Sequence, residues 1–121
     1  MDIRGKNLLV IGGAGLIGSH TVDKLLLEDV GSVTVYDNFT RGREENLIDA
    51  YKDPRVSLYE IGGDILQSDI LDSAMNQRKI DGVFHFAALW LLQCHDFPRS
   101  AFNTNVAGTF NVMEACVKNN I

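Results

Sequence analysis

The sequence predicts an α/β protein built on a doubly wound parallel sheet, and three observations carry that prediction. Strand-like and helix-like apolar periodicities alternate along the whole chain with no repeat, low-complexity tract or proline-rich linker between them. A glycine-rich turn, Val10 to Gly18, joins the first strand to the first helix, and Asp37 ends the second strand. Asp37 follows Gly18 by about twenty residues, the spacing expected of a dinucleotide-binding βαβ unit.

Lys6 to Ile11 reads as a buried parallel strand, because Leu8 to Ile11 are a continuous apolar run without alternation. Leu16 to Glu28 follows as a helix with apolar positions at Ile17, Val22, Leu25 and Leu26, and Ser32 to Tyr36 is a second β-rich run. Thr40 to Glu45 is a polar loop; Leu47, Ile48 and Tyr51 then mark a short helix that Asp53 and Pro54 terminate. Val56 to Ile61 is the third strand, and Gly62, Gly63 and Asp64 turn the chain into a helix over Ser68 to Lys79. One face of that helix carries Ile70, Leu71, Ala74 and Met75 behind a Ser68 or Asp69 cap. Ile80 to Ala87 supplies the fourth strand. The last element opens at Pro98 and runs through Phe102, Val106, Phe110, Met113 and Val117 at spacings of three and four.

In the usual order of such a sheet, 3-2-1-4, a ligand crevice opens at the carboxyl ends of the strands where the order reverses. The glycine turn lies there. A Cβ at its glycines obstructs the tight reversal, the approach of a pyrophosphate to the backbone and the packing of the first helical turn. Amide groups near Leu16 and Ile17 then point at the phosphates with the positive end of the helix dipole behind them. The spacing parses either as G-x-G-x-x-G on Gly13, Gly15 and Gly18 or as G-x-x-G-x-x-G on Gly12, Gly15 and Gly18. A P-loop is excluded, since Ser19 stands where its lysine belongs. A carboxylate at Asp37 accepts hydrogen bonds from ribose hydroxyls and repels a 2′-phosphate, which favours NAD over NADP. Arg41 and Arg43 stand just beyond it, in a loop read as solvated.

The 121 residues, 45% hydrophobic with a net charge of −5, describe one soluble domain. No cluster of lysine and arginine offers a phosphate-backbone footprint, so nucleic acid is not expected as a partner. The apolar runs are strand-length and the start of the chain lacks a signal-peptide pattern, which points away from membranes and to a cytoplasmic protein. The two cysteines, Cys94 and Cys116, have neither zinc nor redox spacing and are expected to be reduced and packed. His20, His85 and His95 form no ligand motif: His85 reads as a strand residue, His20 as a helix-surface residue and His95 as part of the loop before Pro98. No metal site is predicted.

Five segments together resemble a known family: Gly12, Gly15 and Gly18; Tyr36-Asp37-Asn38 after the second strand; Gly63-Asp64-Ile65 after the third; His85-Phe86-Ala87-Ala88 on the fourth; and Asn105-Val106-Ala107-Gly108-Thr109 in the last helix. The chain resembles the NAD-dependent epimerase/dehydratase enzymes of the extended short-chain dehydrogenases/reductases, which act on nucleotide sugars, and among them the 4-epimerases. The resemblance implies a Rossmann-like sheet, with residues 1–121 as the NAD-binding portion, truncated after about four strands. It further implies that Asn38 beside Asp37 is among the cofactor-binding residues and that Asp64 and Ile65 bracket the adenine. Phe86, Ala87 and Ala88 then line the pyrophosphate and nicotinamide-ribose path, and Asn105 braces the turn after the fourth strand.

Relatives carry a serine or threonine after a fifth strand and a tyrosine four residues before a lysine. In this chain Tyr36, Tyr51 and Tyr59 are followed at that distance by Thr40, Arg55 and Gly63, so no catalytic residue is assigned. Trp90 stands close to where 4-epimerases tend to have a lysine. The expectation is a module that binds NAD without turning over, its parent handling a nucleotide sugar by hydride transfer. A non-catalytic nucleotide-binding or assembly module is the alternative. The fourth strand is expected to be an open edge flanked by Phe84, Phe86, Leu89, Trp90 and Leu91, which predicts a homo-oligomer by edge pairing or by exchange of the last helix.

Overall fold

The structure is a computed structural model that describes residues 2–121. Four parallel strands, β1 (Asn7–Ile11), β2 (Ser32–Tyr36), β3 (Val56–Leu58) and β4 (Gly82–His85), form one sheet in the order β3-β2-β1-β4. β1 lies between β2 and β4, with Ile11 level with Tyr36 on one side and His85 on the other. Successive side chains of a strand point to opposite faces. Leu8 and Val10 therefore join Val33 and Val35 in one core layer beneath α1 (Leu16–Leu26), with Val22 and Leu25. Leu9, Ile11 and Tyr36 join a second layer with Leu71 and Met75 of α2 (Ser68–Gln77) and Val112 and Ala115 of α5 (Thr109–Lys118). Helices cover both faces, as a parallel sheet requires. Burial of each large aliphatic side chain contributes about 1.5–3 kcal/mol.

Several elements differ from the sequence expectation. β3 ends at Leu58 rather than Ile61, because it has a single neighbour and because Gly62 and Gly63 adopt φ of 85° and 118° that turn the chain toward the sheet top. β4 is confined to Gly82–His85 although the Phe86 amide still donates to the Ile11 carbonyl at 2.8 Å. The short helix after Glu44 is a pair of 3₁₀ turns, Glu44–Leu47 and Ala50–Lys52; Leu47 and Ala50 are buried, whereas Ile48 and Tyr51 are exposed. α1 stops at Leu26, where the Arg55 guanidinium takes the Leu26 carbonyl at 2.7 Å and the Glu28 carbonyl at 3.0 Å. The cap position of α2 is Gln67, and Ser68 and Asp69 lie inside the helix without a capping bond.

Residues read as loop before Pro98 form a further helix, α3 (Leu91–Asp96), which carries His95. The last run is not one regular helix. It comprises α4 (Pro98–Phe102), a π-helical segment (Asn103–Gly108) and α5. Its large apolar residues Phe102, Val106, Phe110, Met113 and Val117 all point outward. Ile17 of α1 is likewise exposed, at 66%, where the helical pattern suggested a core position.

Candidate functional site: a crevice at the carboxyl ends of the strands

The loops that follow the four strands converge on a crevice of about 760 Å³. Its floor is the turn from β1 into α1. Gly12 has φ 77°, and a Cβ there would stand 2.7 Å from the Ala87 amide nitrogen. A Cβ on Gly18 would stand 2.1 Å from the Gly12 carbonyl oxygen, so only glycine lets α1 start so close to the strand it leaves. Gly12, Gly15 and Gly18 line the crevice, whereas Gly13 packs against Val35 behind it. That arrangement selects the G-x-x-G-x-x-G parsing. Among the described residues the amides of Leu16, Ile17 and Gly18 have no protein acceptor, leaving donors at the positive end of α1.

Asp37 stands at one wall, 7% exposed. One carboxylate oxygen accepts the Ala14 amide at 2.9 Å and the other the Phe39 amide at 2.8 Å. Each oxygen has a second lone pair, so a hydroxyl entering from the crevice still finds an acceptor. The neighbouring Asn38 side chain accepts the Thr40 amide at 3.1 Å and its hydroxyl at 2.8 Å, which closes the loop after β2.

The turn after β3 is drawn against Asp37 by Gly63, whose φ of 118° and absent Cβ allow it to lie on the Asp37 backbone. Tyr36 reinforces the approach, its hydroxyl donating to the Asp64 carbonyl at 3.0 Å while its ring stacks on Tyr59. Burial, with the Asp64 charge second, pushes the Tyr36 phenol up to about 12, so it remains a donor at neutral pH. The Asp64 carboxylate accepts the Leu66 amide at 2.9 Å. Ile65 is almost fully buried beside it, and its carbonyl accepts the Asn111 side-chain amide at 2.9 Å.

Opposite, Phe86, Ala87 and Ala88 form the wall that continues β4. Asn105 is not in the wall itself. It stands behind, accepting the Leu89 amide at 2.7 Å and donating to the Leu89 carbonyl at 2.9 Å. Both backbone groups of Leu89 are thereby held by one side chain, presented from the π-helical segment. His85 reaches the Thr109 hydroxyl at 3.0 Å, its Nδ1 has no partner among the described residues, and burial holds its pKa below the ordinary histidine range. Among the described residues no cluster of histidine, cysteine or acidic groups is arranged to hold a metal ion, and both cysteines are free. No described helix is long and apolar enough to cross a membrane.

Sequence reasoning did not single out Asn46, whose side chain bonds the Ala14 carbonyl at 2.8 Å, or Asn111, Asn103 and Thr104. Polar residues of this kind carry no periodic signal, and only the fold brings them to one place. It also did not pair Arg41 with Trp90: the guanidinium carbon lies 4.7 Å from the centre of the indole.

The model of the NAD dependent epimerase/dehydratase family matches residues 8–121. The chain belongs to this family. A UDP-glucose 4-epimerase of Lacticaseibacillus casei is 39% identical over 111 residues, which are 89% of this chain and 30% of that relative. UDP-glucuronic acid decarboxylase 1 of Arabidopsis thaliana is 36% identical over 88% of this chain and 22% of its own length. Among solved structures, UDP-glucose 4-epimerase from Brucella ovis in complex with NAD superposes with a TM-score of 0.81 at 31% identity, covering 95% of this chain and 33% of that one. The family is thus NAD dependent, its fold is the Rossmann-like sheet seen here, and the chain spans about a third of the curated relatives it matches.

Proposed function

We propose that this chain is the NAD-binding portion of a nucleotide-sugar epimerase or dehydratase, and that by itself it holds the cofactor without turning over a sugar. The observation that supports this reading most directly is the crevice floor, where two glycines leave no room for a Cβ and three amides have no protein acceptor. Those amides suit a pyrophosphate. In this reading Gly12, Gly15, Leu16, Ile17 and Gly18 hold the pyrophosphate, Asp37 and Asn38 the adenosine ribose, and Asp64 with Ile65 the adenine. Phe86, Ala87 and Ala88 bound the nicotinamide-ribose path, and Asn105 acts through Leu89. NAD supplies a hydride acceptor when bound. The protein's contribution here is to bind, orient and discriminate, since the Asp37 carboxylate repels a 2′-phosphate.

The second reading, a non-catalytic nucleotide-binding or assembly module, is favoured by the tyrosines: none has a lysine four residues on, the neighbour that lowers a phenol toward the role of base. Tyr36 moves the opposite way. Calorimetric titration with NAD and NADP, on the chain and on Asp37→Ala, tests the cofactor reading. Saturable binding of NAD in preference to NADP, lost in the variant, supports it; no saturable binding of NAD sinks it.

Self-association is part of the same reading. Among the described residues β4 has β1 as its single neighbour, and the half-buried rings of Phe84 and Phe86 stack on each other at 6.4 Å. An edge of this kind pairs with another chain. Sedimentation at high concentration is expected to show species heavier than the 13.4 kDa monomer, and a uniform monomer counts against it.

A further inference from the structure

β2 and β4 are the two neighbours of β1, so any contact between the loops that follow them passes over the loop that follows β1, which is the glycine turn. Arg41 and Trp90 make such a contact at 4.7 Å, inside the range of about 6 Å in which an aromatic face holds a cation. Both line the crevice. Both are exposed, and among the described residues neither the guanidinium nor the indole N–H has a hydrogen-bond partner, so the stacking is the bond between the two sides. The backbone on each side is anchored close by: the Arg43 amide donates to the Ala14 carbonyl at 3.1 Å, and Asn105 grips Leu89. Opening the contact therefore needs side-chain rotation alone. A guanidinium suits a contact with an aromatic face better than an ammonium, since it is planar and more weakly hydrated.

We propose that Arg41 and Trp90 form a clasp over the glycine turn that must open for a dinucleotide to enter or leave, so that the pair sets the rate of exchange rather than the affinity. The proposal rests on the dinucleotide reading of the crevice. An exposed cation–π contact is weak, and removing one corresponds to a change of about two- to fivefold. Because entry and exit both wait on the same opening, association and dissociation rise together and Kd stays within about twofold.

The test is stopped-flow binding of NADH to the full chain, followed by the ligand's own fluorescence so that the readout survives loss of the tryptophan. Arg41→Ala, Arg41→Gln, Trp90→Ala and the Arg41→Ala/Trp90→Ala double variant are compared. The expected result is faster association and dissociation in each single variant, with the double variant no faster than either, as a shared contact demands. Unchanged rates, or effects that multiply in the double variant, overturn the clasp. Slower association with a weaker Kd in the Arg41 variants overturns it too, because Arg41 is then a direct phosphate ligand. Trp90 is the only tryptophan, so its emission in the ligand-free chain reports the contact independently. Arg41→Ala is expected to shift that emission. If the shift occurs but the chain shows no saturable NADH binding, the dinucleotide reading fails and the clasp falls with it; if NADH binds and the rates do not respond, only the clasp fails.

Discussion

The helices on the two faces of the sheet treat their apolar residues in opposite ways. α1 buries Val22 and Leu25 against β1 and β2 and turns Leu16 and Ile17 toward the crevice, so each apolar residue serves either the core or the site. The last helical run packs inward through Ala101, Gly108, Val112 and Ala115, none larger than valine. The bulkier Phe110 and Met113 face outward at 61% exposure, as Val117 does at 76%. Close approach explains the inversion: a Cβ on Gly108 would stand 2.6 Å from the Ile65 side chain, so the inner face has no room for volume. Period 3.6 identifies a helix, but the distance to its neighbour decides which stripe is buried. An outward stripe of this size is the kind of surface that marks an interaction.

The sharpest way to break that contrast is to add volume where there is none. Gly18→Ala is expected to destabilise the chain by about 3 kcal/mol and to abolish NAD binding, because its Cβ would overlap the Gly12 carbonyl. Gly15→Ala is the control, since a Cβ there meets the same oxygen at 3.3 Å and the backbone at φ −75° accepts any residue. It is expected to cost less than about 1 kcal/mol. Urea denaturation with NAD titration of both variants measures this, and equal losses would falsify the close-packing account.

A middle-sized effect is expected on the inner side of α5. His85, held below its ordinary pKa by burial, binds a proton less readily folded than unfolded. Stability is therefore complete above the unfolded value of about 6.5 and falls as pH drops below it toward the folded value. Melting temperature followed from pH 7.5 to pH 5.5 should decline in the parent chain and decline less in His85→Gln. Equal slopes would remove His85 from the explanation.

The smallest effect belongs to the outward stripe. Phe110→Ser leaves the core untouched and is expected to shift unfolding free energy by no more than about 0.5 kcal/mol. A loss comparable to that of a core substitution, about 2–5 kcal/mol, would mean that the stripe is covered after all.

Much of the fold and the outline of the site were legible in the residues. The β2 boundaries and the position of the glycine turn follow from apolar runs, turn residues and the spacing to Asp37, which are local properties, and the strand order is the usual one for a sheet of this class. The ends of β3 and β4, the helix at Leu91–Asp96 and the π-helical segment were not legible, because they depend on which neighbours a strand has and what a helix packs against.

By itself the sequence determined the alternation of strands and helices, the glycine-rich turn between the first strand and the first helix, and the acid that follows the second strand, since each follows from chemistry within a few residues. The tertiary structure alone decided which glycine parsing lines the crevice, that Asn105 and Asn111 act on backbone carbonyls far along the chain, that Arg41 meets Trp90, and which stripe of the last helix faces water. Those are contacts between distant segments, and their existence depends on the packing distance between elements rather than on any period within one.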